Sequence, residues 1–162
     1  MSKLCRLTAS VAIITSVLAT SSHADTVVRV TLIDKIGEVD LSKSMGLGMA
    51  MHGDMSMAGM AINISRKSVP RGNVTFNVTN LASNYVHEVI IAAVTDENRL
   101  LTYDATKNKV DEETIKTLGQ VAEIDPSKSA SLTLNLKPGK YVLYCNLPGH
   151  YMAGMWTIVE VK

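Results

Sequence analysis

The chain has 162 residues, with 16 basic side chains, 15 acidic side chains and two cysteines. This near balance of charge gives no electrostatic basis for binding nucleic acid or an anionic membrane surface. The length suits one domain with a sizeable hydrophobic core.

The first 24 residues have the three parts of a cleaved export signal. Lys3 and Arg6 precede an apolar run over residues 7–19, and small residues occupy the third-last and last positions of the segment. The run is shorter than the roughly 20 apolar residues of a membrane-spanning helix, which makes an uncleaved anchor the weaker alternative. We therefore predict cleavage after Ala24 and a periplasmic protein without a membrane anchor. The remaining chain has a net charge near −1.

Export makes the cysteine content informative. Cys5 would leave with the signal, so Cys145 is the one cysteine of the mature chain. An unpaired cysteine in an oxidising compartment indicates an intermolecular bond, a reactive thiol or a metal ligand.

Alternating apolar and polar residues, many of them β-branched, predict strands along most of the mature chain. In chain order, the predicted strands cover residues 26–34, 73–80, 85–94, 129–136, 140–145 and 156–161. Segments 69–73 and 137–140 have the composition of turns. Residues 111–119 begin with acidic side chains and end in glycine, which predicts one short helix in a long connection. Together these elements predict an all-β fold, a Greek-key β-sandwich.

Residues 45–60, MGLGMAMHGDMSMAGM, match no strand pattern. Their four glycines argue against a stable helix and predict a flexible loop. Soft thioethers select Cu(I), and an imidazole would extend the site to Cu(II). We therefore predict an accessory copper site with the candidate ligands Met49, Met51, His52, Met55, Met57 and Met60. The alternative is an adaptable methionine-rich surface that covers one end of the sandwich.

The stretch YCNLPGHYMAGM contains a cysteine, a histidine and a methionine with four residues in each gap. Cys145 ends one predicted strand, His150 lies in the following loop and Met155 opens the next strand, so one loop can direct three side chains to one point. The mature chain has three histidines, and His52 lies in the predicted flexible loop, so the second imidazole is His87. A thiolate, two imidazoles and a distant thioether describe a mononuclear copper electron-transfer site.

Other chemistries explain these residues less completely. A single histidine on an apolar strand is most often a satisfied core residue, and a cysteine–histidine pair can be a catalytic dyad or a redox thiol. A cysteine with two histidines can also bind structural zinc, for which a thioether is a poor ligand. A purely structural cysteine is the remaining alternative, and it leaves the spacing of His150 and Met155 to chance.

The loop resembles the copper loop of the cupredoxins, the type I copper proteins, with the spacing C-x4-H-x4-M. The resemblance covers most of residues 61–162 and includes VTFNVTN, NYVHEV and LKPGKYVLYCNLPGHYMAGMWTIVEV. It implies an eight-stranded Greek-key sandwich and one copper ion, with the ligands His87, Cys145, His150 and Met155. Residues 25–60 would then be an N-terminal strand with a Met/His-rich copper-binding loop, and residues 61–162 the remainder of a single cupredoxin domain.

One position departs from the family pattern. Many cupredoxins have asparagine directly after the first ligand histidine, where it braces the thiolate loop, and this chain has Glu88. Groups around the ligands tune the potential and geometry of a site, so both a blue and a green centre stay open. Candidate braces are Asn84, Asn146 and the backbone N–H of Glu88.

The family pattern also places an edge of His150 in an exposed apolar patch. In this chain the patch would be formed by Leu147, Pro148, Tyr151, Met152 and Ala153. Such a patch suits brief docking with a redox or copper-transfer partner. An ordinary loop packed on its own sandwich is an equal alternative.

A Met/His segment ahead of the core resembles the CopI-type periplasmic copper-tolerance cupredoxins. This resemblance implies a role in copper tolerance by binding, oxidising or transferring copper. The alternative function is a small electron-transfer protein that shuttles electrons between respiratory redox partners. We do not expect an enzyme, beyond weak Cu(I) oxidation, because one cysteine and three histidines leave no ligands for an additional catalytic copper.

Overall fold

The computed structural model describes residues 25–35, 37–51 and 53–162. The predicted export signal (1–24) and the candidate ligand His52 lie outside the described residues. The strands are β1 (Thr26–Asp34), β2 (Met60–Ile64), β3 (Ser68–Val69), β4 (Gly72–Asn80), β5 (His87–Val94), β6 (Tyr103–Asp104), β7 (Lys109–Val110), β8 (Thr117–Ile124), β9 (Ser129–Leu136), β10 (Gly139–Tyr144) and β11 (Trp156–Val161). Single 3₁₀ turns cover Met55–Met57, Glu112–Thr114 and Tyr151–Ala153. Within the described ranges, no helix is long and apolar enough to cross a membrane.

Two mixed sheets build the molecule. The first has the strand order β2-β1-β4-β9, and the second has the order β3-β11-β10-β5-β8. Most neighbours are antiparallel, but β1 runs parallel to β4 and β3 runs parallel to β11. A small hairpin of β6 and β7 lies in the connection between β5 and β8. The predicted all-β sandwich is confirmed.

The main core lies between the two sheets. On β4 the side chains of Val74, Phe76 and Val78 are fully buried, and their neighbours along the strand face outwards or are only partly covered. This is the period-two pattern from which the strand was predicted. Alternating inward side chains of β1 complete the same core from the neighbouring strand.

The second sheet is covered on both faces. Leu143 of β10 points into the main core, whereas Val142 and Tyr144 pack in a second apolar cluster. That cluster also contains Met49 and Tyr151, so loops close over the outer face of the sheet. Double coverage explains why β10 is apolar at almost every position.

The predicted helix over residues 111–119 is wrong in extent. The Asp111 side chain accepts a hydrogen bond from the Glu113 N–H and starts one 3₁₀ turn, but Ile115 is already extended. From Thr117 onwards the chain belongs to β8 and pairs with β5. Sheet pairing with a long strand outweighs the weak local preference for helix.

Residues 45–51 and 53–60, called the methionine-rich segment below, lie against the loop that follows β10. The Leu47 N–H donates to the Met152 carbonyl at 3.0 Å, and the Met49 N–H donates to the Tyr151 hydroxyl at 2.8 Å. The Trp156 indole N–H donates to the Leu47 carbonyl at 2.6 Å. The prediction of a loop holds for most of the segment, but Met60 begins β2.

Candidate metal centre

Three of the predicted ligands converge at one end of the sandwich. The Nδ1 atoms of His87 and His150 are 3.1 Å apart. The Cys145 Sγ lies 3.4 Å from the His150 Nδ1 and 4.0 Å from the His87 Nδ1. Among the described residues, this is the cluster whose donor atoms are close enough to share a metal ion.

The three separations fit one small metal ion. First-row metal ions bind imidazole nitrogen and thiolate sulfur at about 2.0 to 2.3 Å, so donors that share one ion lie about 3 to 4 Å apart. The donors are two borderline nitrogens and one soft sulfur, and all three side chains are buried. This donor set is the one that selects copper in electron-transfer sites.

Paired strands hold two of these side chains. His87 opens β5 and Cys145 directly follows β10, and the two strands pair antiparallel with Tyr144 opposite Ile90. Side-by-side strands therefore bring a histidine and a cysteine together although 58 residues separate them. Such a frame keeps the two donors fixed with little loss of conformational entropy on metal binding.

Backbone hydrogen bonds shape the loop that carries His150. The His150 N–H donates to the Leu147 carbonyl at 3.0 Å, and the Gly149 N–H donates to the Asn108 carbonyl at 2.8 Å. Gly149 has φ +83°, which glycine adopts without the steric cost that a Cβ brings. The chain therefore reverses within a few residues and turns the imidazole back towards Cys145.

Met155 is fully buried and belongs to the main core. Its carbonyl accepts a hydrogen bond from the Cys145 N–H at 3.1 Å, and its own N–H donates to the His150 carbonyl at 3.1 Å. Its backbone is thus tied to both ligand residues of the loop. This placement is consistent with the predicted axial position, and the thioether's role as a ligand stays a prediction.

Burial sets the protonation of the metal-free donors. Burial raises the pKa of the Cys145 thiol to about 12, although hydrogen bonds from the backbone amides of Glu88 and Leu147 oppose the shift. Burial and the neighbouring His87 lower the pKa of His150 to about 4. Burial likewise lowers the pKa of His87, with Asp34 acting against it. Near neutral pH, the centre therefore offers two neutral imidazoles and a thiol whose proton must leave when a metal ion binds.

We expect the free energy of unfolding of the metal-free protein to fall as the pH drops from about 6.5 to about 4. The pKa of His150 is about 4 in the folded protein and near its ordinary value of 6.5 in the unfolded chain, so the unfolded chain binds more protons in this window. The loss is on the order of 3 kcal/mol from this residue. Urea denaturation at several pH values measures it. A His150→Gln variant with the same pH dependence as the wild type would contradict the assignment.

Glu88 takes part in the brace that the family pattern assigns to asparagine. Its Oε1 accepts a hydrogen bond from the Asn146 N–H at 3.1 Å. The Asn146 side chain accepts from the Val110 N–H at 2.7 Å and donates to Glu112 Oε1 at 2.7 Å. Asn146, one of the three predicted braces, is therefore held next to Cys145 by Glu88 and Glu112. The second, the Glu88 amide, acts to lower the pKa of the Cys145 thiol. The third, Asn84, is exposed.

Asn80 is a structural residue that the sequence analysis missed. Its side-chain amide donates to the carbonyls of Tyr85 and Ile124 at 2.9 and 2.8 Å, and its Oδ1 accepts from the Ala82 N–H at 2.9 Å. The turn that leads into His87 is thereby fastened to the end of β8. A buried asparagine at the end of a strand, followed by a polar turn, was the available signal.

The contact of His87 with Asp34 was also not predicted. The Asp34 Oδ1, at the end of β1, lies 3.1 Å from the His87 Nε2. Both side chains are buried or nearly so, at 8% exposure for Asp34 and 0% for His87. The contact joins residues that are 53 positions apart, and no local motif indicates it.

The predicted apolar docking patch around His150 is largely covered. Tyr151, Met152 and Ala153 are buried, and His150 itself is only 4% exposed. Pro148 is exposed and Leu147 is partly exposed. The alternative of a loop packed on its own sandwich is the one that the structure shows, because the methionine-rich segment bonds to this loop.

The methionines of the accessory site differ in accessibility. Met49 and Met60 are buried in the two apolar clusters. Met51, Met55 and Met57 are 39%, 38% and 65% exposed. A thioether in the hydrophobic core is not free to bind an ion from solution. Accessibility therefore limits the candidate methionine ligands to Met51, Met55 and Met57.

Comparisons with known proteins identify the family and the fold. The family model of copper binding proteins, plastocyanin/azurin family, matches residues 49–162. Reduced auracyanin from the photosynthetic bacterium Roseiflexus castenholzii has a TM-score of 0.52 at 18% identity, over 86% of this chain and 98% of that chain. Rusticyanin from Thiobacillus ferrooxidans has a TM-score of 0.53 at 14% identity, over 86% and 80% of the two chains. No curated protein sequence matches the chain. By its family model, its fold and its cluster of donors, the chain belongs to the cupredoxins of the copper-binding plastocyanin/azurin family.

Proposed function

We propose that the protein holds one type I copper ion with His87, Cys145, His150 and Met155 as ligands. The observation that carries this proposal is the convergence of two imidazole nitrogens and one thiol sulfur within 4.0 Å of one another. Met155 would supply the fourth donor, because its backbone is bonded to Cys145 and His150 and its side chain is buried in the same core cluster as Cys145.

The chain's own residues prepare this centre for electron transfer. A bound copper ion supplies one-electron redox chemistry. Antiparallel strands fix His87 and Cys145, and burial excludes water from the donors. Donors held in this way would favour a copper site whose geometry changes little between the two oxidation states. We propose an electron-transfer and copper-binding protein and not an enzyme.

We further propose that the protein serves copper tolerance in the periplasm. Five large hydrophobic side chains are exposed in the described part of the chain, and three of them are Met51, Met55 and Met57. Exposed thioethers clustered in one segment are soft ligands open to solution, and they select Cu(I). The grouping of these methionines in one segment supports a second, labile copper site. That site would bind copper, oxidise it or hand it to a transfer partner.

We expect the mature chain to bind more than one Cu(I), and a variant with Met51, Met55 and Met57 replaced by leucine to bind one. Leucine keeps the volume and removes the sulfur, so the fold is retained while the soft donors are lost. Competition with a chromophoric Cu(I) chelator measures the stoichiometry. Met49→Leu is the matched control, since its buried thioether is not expected to bind copper. A wild-type ratio of one Cu(I) per chain would contradict the accessory site.

A shuttle between respiratory redox partners is the second candidate function, and membership of an electron-transfer family favours it. Growth of a deletion strain separates the two functions. Sensitivity to excess copper with normal respiration supports copper tolerance. Slowed respiration with unchanged copper sensitivity supports the shuttle.

A further inference from the structure

We propose that Asp34 is a positioning residue for the copper centre, which acts by fixing the proton and the orientation of the His87 ring. This inference rests on the proposed copper site. It starts from the 3.1 Å contact between the Asp34 Oδ1 and the His87 Nε2. The contact is shielded from solvent, because the two side chains are 8% and 0% exposed.

The contact determines which ring nitrogen carries the proton. A carboxylate oxygen only accepts hydrogen bonds, so Nε2 must be the donor and must hold the hydrogen. The neutral ring then has its lone pair on Nδ1, the atom that lies 3.1 Å from the His150 Nδ1 and 4.0 Å from the Cys145 Sγ. Asp34 thereby presents the correct nitrogen of His87 to the metal before any ion binds.

A purely structural role explains Asp34 poorly. Its second oxygen, Oδ2, is buried without a hydrogen-bond partner. An unpaired buried carboxylate oxygen costs stability. Among the described residues, the side chain that pairs with Asp34 is His87, and no lysine or arginine forms an ion pair with it. The arrangement is understandable if the negative charge of Asp34 orients His87 and stabilises the cation that His87 binds.

Two properties of Asp34 can be separated by substitution. Asp34→Asn keeps the shape and an acceptor oxygen but removes the charge. Asp34→Leu removes both the charge and the acceptor oxygen. Loss of a hydrogen-bond partner behind a ligand histidine typically lowers metal affinity about 10- to 100-fold. We expect that loss of Cu(II) affinity in Asp34→Leu and a smaller loss in Asp34→Asn. Because a nearby negative charge favours Cu(II) over Cu(I), both variants are expected to have a higher reduction potential than the wild type.

The decisive readout does not require copper. The ¹⁵N chemical shifts of the His87 ring in the metal-free protein report which nitrogen is protonated. We expect the Nε2–H form in the wild type and in Asp34→Asn, and a mixture of both forms in Asp34→Leu. Asp40→Asn is the control, because Asp40 is an exposed carboxylate paired with Lys43. Asp40→Asn should leave the ¹⁵N shifts of the His87 ring, the Cu(II) affinity and the reduction potential unchanged.

The proposal is overturned if Asp34→Leu keeps the Nε2–H form and both variants bind Cu(II) within about two-fold of the wild type. Failure of the copper centre itself gives a different result. In that case the wild-type protein with Cu(II) shows no thiolate band, while the ring signals of the metal-free variants still report the role of Asp34. If Asp34→Leu does not fold, the near-isosteric Asp34→Asn still tests the charge through the potential and the affinity.

Discussion

The Cys145→Ser protein loaded with Cu(II) is expected to lose the intense visible absorption of the wild-type protein completely. That absorption arises when a thiolate sulfur donates charge to copper, and Cys145 is the one free cysteine in the described chain. A serine hydroxyl gives up its proton far less readily than a thiol, so it cannot replace the thiolate. The measurement is the visible spectrum of the two mature proteins at equal copper occupancy.

Far-ultraviolet circular dichroism of the metal-free variant controls for folding, since serine is close to cysteine in size. The wild-type colour carries further information, because blue and green centres differ in how strongly the axial sulfur and the thiolate interact with copper. An undiminished band in Cys145→Ser would place the chromophore elsewhere and would contradict the proposed centre.

The Gly149→Ala protein is expected to be about 2 to 5 kcal/mol less stable than the wild type and to bind copper more weakly. An alanine Cβ at this position would lie 2.5 Å from the Leu41 carbonyl oxygen, which belongs to backbone and cannot rotate away. Gly149 also has a positive φ, so the substitution adds backbone strain to the clash. Since His150 is the next residue, relief of the clash displaces a ligand.

Two other glycines provide matched controls for this experiment. Gly46 has φ +68° but ample space, with its nearest contact at 3.7 Å, so Gly46→Ala measures the cost of strain alone, about 1 to 2 kcal/mol. An alanine Cβ at Gly37 would have no atom of the described residues within 4 Å, and Gly37→Ala is expected to be near neutral. Urea denaturation of the three metal-free variants gives the differences. Equal stability of Gly149→Ala and Gly46→Ala would show that the close approach of Leu41 has no energetic effect.

Four long strands with one buried face were predictable from the sequence. β1, β4, β9 and β11 were found within a residue of their ends, because a half-buried strand alternates apolar and polar residues. β8 was missed since only Val121 and Ile124 are buried along its eight residues. Its position is determined by pairing with β5, which is a property of the folded chain and leaves little trace in the local pattern.

The centre was predictable to the extent that it is local in sequence. Cys145, His150 and Met155 belong to one loop, and their spacing carries the prediction. The contact between Asp34 and His87 joins residues 53 positions apart in the chain, so no local pattern could reveal it. The burial of Met49 and Met60 was also hidden, because the glycine-rich stretch around them has no period from which an inner and an outer face could be assigned.

The hydrogen bonds from Leu47 and Met49 to the loop of His150 couple the stability of the methionine-rich segment to that of the loop. Thermodynamic linkage is reciprocal, so whatever holds the loop in place also holds the segment that is bonded to it. A metal ion bound by His150 and Cys145 would therefore protect the amides of Leu47 and Met49 from deuterium exchange and the neighbouring glycines from proteolysis. Conversely, cleavage within that segment would speed the escape of the ion.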